Sequence, residues 1–308
     1  MPDRPGFDAH QSVETPSDPA ENAYCSEHLL LIKVKADHRE PAHKIAAENS
    51  MTEALQGSQL QRLGKSYELA ELDRDFLLGD SMRGVRLQLE YAKVEEKLNA
   101  WGVRSTIVVF GGHLVEEHGP PQHRIWYQHA RNFARIVSQQ GGATSADGSA
   151  RDNVIATGGG PGLMEAANRG AADAGAPSIG FNIALARQQK PNVYSTPELT
   201  FQFQYFAIRK LHLAMRANAL VVFPGGFGTL DEMFEILTLK QNAKTGPIPI
   251  LLFDETYWRS ILSFERLIEH GMICEQDLRL FEFADDPQKA WDGLKRNIVA
   301  GSTPRHIR

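Results

Sequence analysis

From about residue 103 onwards, short runs of apolar and β-branched residues alternate with longer stretches in which apolar residues recur every three or four positions. A continuous apolar run is typical of a strand buried on both faces, and the wider spacing is typical of an amphipathic helix. The predicted strands are Thr106–Phe110, Asn153–Thr157, Ser178–Ile183, Ala219–Phe223 and Ile248–Phe253. The predicted helices lie near 124–140, 162–174, 203–217, 229–241 and 256–270. This alternation predicts an α/β fold, a doubly wound parallel sheet with helices on both faces.

The flanking regions divide the chain further. Residues 1–65 are mostly polar and rich in turn-forming residues, so we expect a largely flexible N-terminal tail. Residues 66–102 are expected to form a helical extension that packs on the core, because apolar residues follow helical spacing there. Residues 103–300 are expected to form the α/β domain, with a surface loop at Gln140–Arg151 and a last helix that begins after Asp286. The apolar positions that predict the two flanking helices are Leu87, Tyr91, Val94 and Leu98 in the first and Trp291, Leu294 and Ile298 in the last.

Composition and charge narrow the classes of function. The 308 residues are 42% hydrophobic, which is enough to bury a substantial core. The chain has 33 Lys and Arg against 38 Asp and Glu, a formal net charge of -5, so nothing indicates a nucleic-acid-binding surface. Cys25 and Cys274 lie far apart and no Cys/His cluster has metal-ligand spacing, so we expect no disulfide and no metal. The sequence shows no secretory signal and no long apolar stretch, which favours a cytoplasmic protein without a membrane partner.

The strongest chemical signal is a glycine-rich turn between a predicted strand and a predicted helix, Phe223–Glu232. Gly225, Gly226 and Gly228 allow backbone N–H groups to approach a ligand, and the helix start adds partial positive charge. The turn is therefore predicted to bind an anion such as a phosphate, with Thr229 as a further donor. Glu232 has two interpretations: its carboxylate faces a group attached to that phosphate, or Thr229 and Glu232 form a capping box that only satisfies the helix terminus.

A second glycine cluster, Gly158–Gly160, also follows a predicted strand. It does not fit the dinucleotide-binding pattern, because the position that requires a small residue is Leu163 or Glu165. A mononucleotide or sugar contact is one interpretation, and a tight turn without a ligand is the other. Gly111-Gly112 after the first strand forms a third, weaker loop at the same edge.

Two adjacent basic residues, Arg209 and Lys210, lie on the predicted helix that leads into the strand before the glycine-rich turn. Neighbouring residues on a helix diverge by about 100 degrees, so at most one of the pair points squarely into a cleft. A solvated basic face is the alternative. The histidines are scattered without a ligand pair, and we expect them at the surface or as caps; those in the region after the first strand are His113, His118, His123 and His129.

In these segments the chain resembles the LOG ("lonely guy") family of cytokinin riboside 5'-monophosphate phosphoribohydrolases. It resembles in particular the longer bacterial members, which are often mislabelled lysine decarboxylases. The family's PGGxGTxxE motif is met in full by Pro224–Glu232, its other glycine-rich loop by Gly158–Met164, and its arginine-lysine pair by Arg209-Lys210. The resemblance implies that Arg209 and Glu232 are catalytic. It implies substrate contacts from Gly225, Gly226, Gly228, Thr229, Lys210, Gly159, Gly160, Met164, Glu165, Asn182 and Thr238.

The resemblance is not complete. Plant-type members have Met-His-x before the basic pair, where this chain has Phe206–Ile208, and relatives commonly have Ser-x-Arg where this chain has Gly112-His113. The first departure bears on the base preference, and the second bears on contacts from the loop after the first strand.

The resemblance further implies a Rossmann-like nucleotide-binding catalytic domain over 103–300. The expected reaction is hydrolysis of the N-glycosidic bond of a purine nucleoside 5'-monophosphate, without a cofactor and in a homo-oligomer. AMP, GMP, CMP and prenylated AMP all remain open as substrates. The rival hypotheses are a non-catalytic nucleotide-binding or sensing module of the same fold and a structural scaffold. Nothing in the sequence identifies a Schiff-base lysine or a pyridoxal phosphate site, so the decarboxylase label has no chemical support.

Overall fold

A computed structural model of the chain describes residues 58–144, 150–185 and 190–300. The chain divides into two compact units, Met1–Arg74 and Asp75–Arg308. The described part of the first unit is solvent-exposed and contains a short 3-10 helix, Lys65–Tyr67. Most of the predicted N-terminal tail and the middle of the predicted loop after residue 140 lie outside the described residues. The predicted domain limits therefore stay predictions.

The second unit alternates strands and helices, as the sequence predicts. The strands are β1 Thr106–Phe110, β2 Val154–Thr157, β3 Ser178–Ile183, β4 Thr200–Phe203, β5 Ala217–Val222, β6 Ile250–Phe253 and β7 Glu282–Ala284. The helices are α1 Arg74–Leu78 at the unit boundary, α2 Arg83–Ala100, α3 Pro121–Gln140, α4 Leu163–Asp173, α5 Phe206–Met215, α6 Phe227–Gln241, α7 Glu255–Ile261, α8 Phe264–Glu269 and α9 Pro287–Ala300.

The strands form one parallel sheet in the order β4-β3-β2-β1-β5-β6-β7. The central strand is β1, because Ile107 pairs with Ile155 of β2 on one side and with Ala219 of β5 on the other. The order of strands reverses at β1, so the loops after β1 and β5 lead to opposite faces of the sheet. A ligand crevice is expected where they separate, outside the carboxyl ends of the strands.

Apolar side chains cover both faces of the sheet. Val108 and Val222 belong to the layer that α2, α5 and α6 cover, whereas Ile107 and Val221 belong to the layer that α3, α4 and α9 cover. Successive residues of a strand face opposite sides, so a strand buried on both faces has no polar positions to alternate with. The doubly wound, Rossmann-like fold is confirmed. In α2, Val94 and Leu98 are buried, as the helical spacing predicts.

The sequence analysis misses the two edge strands, β4 and β7. They are short, and β4 exposes Gln202 between two buried phenylalanines, so neither has the long apolar run of a central strand. Because β4 occupies Thr200–Phe203, the helix predicted near 203–217 begins only at Phe206. The helix predicted near 256–270 is also wrong as one element: Leu262 has an extended backbone, with φ −129° and ψ 113°, and separates α7 from α8.

A buried histidine beneath α2 makes the stability depend on pH. His212 of α5 is 1% exposed and stacks on Tyr91, with its Nδ1 atom 3.5 Å from Glu95 Oε1. Burial lowers the pKa of His212 from 6.5 to about 4. The folded protein therefore binds a proton at His212 less readily than the unfolded chain does. The contribution of neutral His212 to the free energy of unfolding is complete above pH 6.5 and is lost as the pH falls towards 4.

We expect the free energy of unfolding to lose about 3 kcal/mol over that range on account of His212 alone. Urea unfolding at several pH values, compared between the wild type and His212→Phe, measures this contribution. The phenylalanine keeps an aromatic ring between Tyr91 and Phe203 but has no proton to gain, so its pH dependence should be shallower. Identical slopes for the two proteins would contradict the assignment.

Candidate functional site

The loops that follow β1, β2 and β5 meet at the carboxyl edge of the sheet. Together with α5 and the start of α7 they enclose a cavity of about 710 Å³. The predicted site residues that line it are Met164, Arg209, Gly225, Gly226, Gly228, Thr229 and Glu232, and Gly158 of the second glycine cluster lines it as well. A second cavity, of about 660 Å³, lies beside β7 and α9 and is lined by none of the predicted site residues.

The turn after β5 presents unpaired backbone amides to this cavity. In the part of the chain that the structure describes, the N–H groups of residues 225–228 donate to no backbone carbonyl. A β-carbon on Gly225 would lie 2.2 Å from Thr229 Oγ1, so only glycine fits there with the hydroxyl so close. Gly112 N–H donates to Pro224 O at 2.9 Å, which ties the turn to the loop after β1. Free amides at the start of a fifteen-residue helix make a suitable anion site.

The capping-box interpretation of Thr229 and Glu232 is wrong. Helix α6 begins at Phe227 and its N-cap is Gly226, so Thr229 is the third residue inside the helix. No side chain caps the terminus. The carboxylate of Glu232 instead pairs with Arg209 and lines the cavity, so it does not accept a hydrogen bond from the backbone at the start of its own helix.

Arg209 and Glu232 form a buried ion pair at the cavity wall. Arg209 Nη1 lies 2.9 Å from Glu232 Oε1, and the two side chains are 11% and 6% exposed. Arg209 Nε also donates to Phe181 O at 2.7 Å, so β3 anchors the guanidinium between α5 and α6. Burial raises the pKa of Glu232 above its ordinary value, and the positive charge of Arg209 opposes that rise.

The glycine loop after β2 is shaped mainly by close packing. A β-carbon on Gly158 would lie 2.6 Å from Arg209 Nη2, so this glycine makes room for the arginine. Gly159 has a φ of +69°, and a β-carbon there would lie 2.3 Å from Asn182 Nδ2. Gly158 lines the cavity, whereas Gly159 and Gly160 do not. For Gly159 the tight-turn interpretation is the better supported of the two.

The remaining predicted contacts lie away from the cavity lining. Asn182 is buried behind Gly159, and its amide atoms have no hydrogen-bond partner among the described residues. Glu165 accepts a hydrogen bond from Tyr127 Oη at 3.1 Å. Lys210 lies 2.8 Å from both Asp231 and Glu235, on the outer side of α5 and α6, because it points about 100 degrees away from Arg209. Thr238 and Lys210 line a separate surface depression beside α6, and the Thr238 hydroxyl donates to Phe234 O.

Sequence reasoning missed an aromatic wall of the cavity. Tyr257, Trp126 and His123 line the cavity, with the His123 ring stacked on Trp126 and Trp126 packed edge-on against Tyr257. His113 is exposed, as expected for a surface residue, and His123 is half-buried; both line the cavity. Only the proximity of α3 and α7 reveals this wall, because no motif marks these residues along the chain.

Two further features concern the described residues as a whole. They contain no group of three or more His, Cys, Asp or Glu side chains placed to hold a metal ion. Within the same residues, no helix combines the length and the apolar character that a membrane crossing requires.

Comparisons with known proteins point to one family. Residues 164–294 match the family model described as "Possible lysine decarboxylase", a stretch that includes Arg209 and Glu232. A probable cytokinin riboside 5'-monophosphate phosphoribohydrolase of Oryza sativa subsp. japonica is 32% identical over 92 residues, which are 29% of this chain and 43% of that protein. An Arabidopsis thaliana cytokinin riboside 5'-monophosphate phosphoribohydrolase is 38% identical over 66 residues, 21% of this chain and 31% of that protein. The resemblance to the LOG family is confirmed.

The match of this chain to the curated proteins is partial. The aligned residues span less than half the length of those two plant proteins. Among solved structures, the molybdenum cofactor binding protein from Rippkaea orientalis is 20% identical with a TM-score of 0.42, covering 63% of this chain and 98% of that one. The molybdenum cofactor carrier protein from Chlamydomonas reinhardtii is 19% identical with a TM-score of 0.43, covering 64% and 99%.

Proposed function

We propose that this protein hydrolyses the N-glycosidic bond of a purine nucleoside 5'-monophosphate to free base and ribose 5-phosphate. One observation carries the proposal: the buried Arg209–Glu232 pair and the unpaired amides of residues 225–228 line the same cavity. The relatives named cytokinin riboside 5'-monophosphate phosphoribohydrolases support it independently.

The glycine turn supplies the binding energy for the 5'-phosphate. Its amides and the Thr229 hydroxyl donate hydrogen bonds to the bound phosphate, and the positive end of the helix dipole attracts the negative charge of the phosphate. Because the phosphate is remote from the bond that breaks, anchoring it turns binding energy into orientation of the ribose. Glu232 lies about one helical turn beyond Thr229, which suits a position beside the anomeric carbon.

The carboxylate of Glu232 acts on the sugar. When the bond from C1' to the base nitrogen breaks, its electron pair leaves with the base, and the sugar develops an oxocarbenium-like positive charge. A carboxylate beside C1' stabilises this charge, activates the attacking water or attacks C1' directly. Water completes the reaction by giving a hydroxyl group to C1' and a proton to the base.

Arg209 favours the ionised form of this carboxylate and holds it in place. Its positive charge lowers the pKa of Glu232 against the effect of burial, and the bond from Nε to Phe181 O fixes the plane of the guanidinium. Arginine suits this position because it stays charged when desolvated and can bond to two acceptors at once.

The lysine decarboxylase named in the family description finds no support in the cavity. Pyridoxal phosphate chemistry requires a lysine that forms a Schiff base. No lysine is found among the described residues that line the cavity, and Lys210 is held by two carboxylates on the outer side of the helices.

The reaction is tested by incubating the purified protein with AMP, GMP, CMP and their nucleosides and measuring free base by chromatography. We expect AMP or GMP to be cleaved, and adenosine to be cleaved on the order of 10² times more slowly than AMP because it lacks the anchoring phosphate. Equal rates for AMP and adenosine would remove the phosphate role of the turn. Binding of AMP without release of adenine would favour the sensing module instead.

The homo-oligomer, the cytoplasmic location and the absence of a cofactor stay predictions, and the physiological base stays open.

A further inference from the structure

The aromatic wall of the cavity is hydrogen-bonded to the phosphate turn. Tyr257 Oη donates to the carbonyl oxygen of Gly225 at 2.8 Å, across the gap between α7 and the turn after β5. Burial raises the pKa of the Tyr257 hydroxyl, so it remains a neutral donor at physiological pH. The adjacent Trp258 is fully buried in the core and anchors α7, which leaves Tyr257 free to face the cavity.

A single aspartate holds Tyr257 in place. Asp254 Oδ1 accepts the backbone N–H of Tyr257 at 2.9 Å, and its Oδ2 accepts Trp126 Nε1 at 2.7 Å and Gln122 Nε2 at 3.0 Å. Asp254 adopts a left-handed conformation, with φ 69°, which non-glycine residues rarely adopt. Such a conformation persists only where surrounding contacts enforce it. Here the three side-chain hydrogen bonds act together with two backbone bonds, from Asp254 N–H to Ala284 O and from Trp258 N–H to Asp254 O.

The bond to Gly225 controls the direction of the next amide. In a trans peptide the carbonyl oxygen of one residue and the N–H of the following residue lie in one plane and point in opposite directions. Tyr257 therefore fixes the Gly226 N–H on the side away from its own hydroxyl. Because Gly225 and Gly226 are free to adopt many backbone conformations, a bond that selects one of them lowers the cost of ordering the turn around an anion.

We propose that Tyr257 is a positioning residue that orients the Gly225–Gly226 peptide for binding of the substrate 5'-phosphate, and that Asp254 and Trp126 hold it for this task. The proposal rests on the proposed function, since it assigns the phosphate to this turn. It predicts an effect on recognition of the phosphate rather than on cleavage at C1'.

The test compares Tyr257→Phe with the wild type in AMP turnover and in inhibition by inorganic phosphate. The phenylalanine keeps the ring against Trp126 and removes only the hydroxyl. We expect the KM for AMP to rise about threefold to tenfold, which corresponds to one lost hydrogen bond, and kcat to change by less than about twofold. The inhibition constant for phosphate should rise by the same factor, and the rate with adenosine should not change.

Two further variants make the result specific. Tyr67→Phe removes a hydroxyl from a tyrosine that is 63% exposed and outside the cavity, and it should match the wild type. Trp126→Phe removes the indole donor to Asp254 and should raise KM and the phosphate inhibition constant in the same direction as Tyr257→Phe, by a smaller factor.

The outcomes separate this inference from the proposed function. If the wild type cleaves AMP and Tyr257→Phe has the same KM and phosphate inhibition, or loses only kcat, the positioning role is overturned and the hydrolase proposal stands. If the wild type neither cleaves AMP nor binds inorganic phosphate, both are overturned. A rise in KM and in the phosphate inhibition constant without an effect on adenosine supports the role of Tyr257.

Discussion

Replacement of Glu232 by glutamine is expected to lower AMP turnover on the order of 10³-fold while AMP binding stays within about threefold of the wild type. Glutamine has nearly the same shape and still offers Arg209 an oxygen, so the cavity wall is preserved. It lacks the negative charge that stabilises the positive sugar in the transition state, and it cannot act as a base or nucleophile. Adenine release measured by chromatography and AMP binding measured by calorimetry test the two halves of this result.

Glu235→Gln is the matched control for this experiment. Glu235 is on the same helix, one turn further on, but its carboxylate pairs with Lys210 on the outer side and does not line the cavity. We expect near-normal turnover from it. A Glu232→Gln protein that releases adenine at the wild-type rate would remove Glu232 from the mechanism.

The second large effect is expected from Arg209→Ala, which should lower the free energy of unfolding by about 3–5 kcal/mol. The substitution leaves Glu232 buried without its positive partner, since both side chains are nearly inaccessible to solvent. The pKa of Glu232 should then rise further, because Arg209 is the largest influence that lowers it. As the pH is lowered, the activity that depends on the ionised carboxylate is therefore lost at a higher pH in Arg209→Ala than in the wild type.

Urea unfolding and the pH profile of residual AMP cleavage measure these two effects. Arg209→Lys should be intermediate, because an ammonium group keeps the charge but has no planar fork to bridge Glu232 and Phe181 O. Lys210→Ala should cost much less in both measurements, since Lys210 does not line the cavity and its partners Asp231 and Glu235 are 57% and 38% exposed. Equal losses from Arg209→Ala and Lys210→Ala would contradict the geometry of the site.

The central part of the fold can be predicted from the sequence because its strands are buried on both faces. β1 and β3 have the predicted limits, Thr106–Phe110 and Ser178–Ile183, since every residue of both strands is buried and most are apolar. The edge strands β4 and β7 and the break at Leu262 could not be predicted from the sequence. Their conformations depend on neighbours distant in the chain, and local pattern carries little of that information.

The candidate site divides in the same way. The PGGxGT turn, the helix that follows it and the Arg209-Lys210 pair are local features, so the sequence alone predicted an anion-binding turn with Glu232 one helical turn further on. Tertiary structure decided which of two adjacent basic residues enters the cavity, that Glu232 bonds to Arg209 instead of capping its own helix, and that Tyr257 reaches the Gly225 carbonyl. These choices depend on the rotation and approach of helices from different parts of the chain. Such packing joins residues 23 and 32 positions apart, beyond the range of any periodicity along the chain.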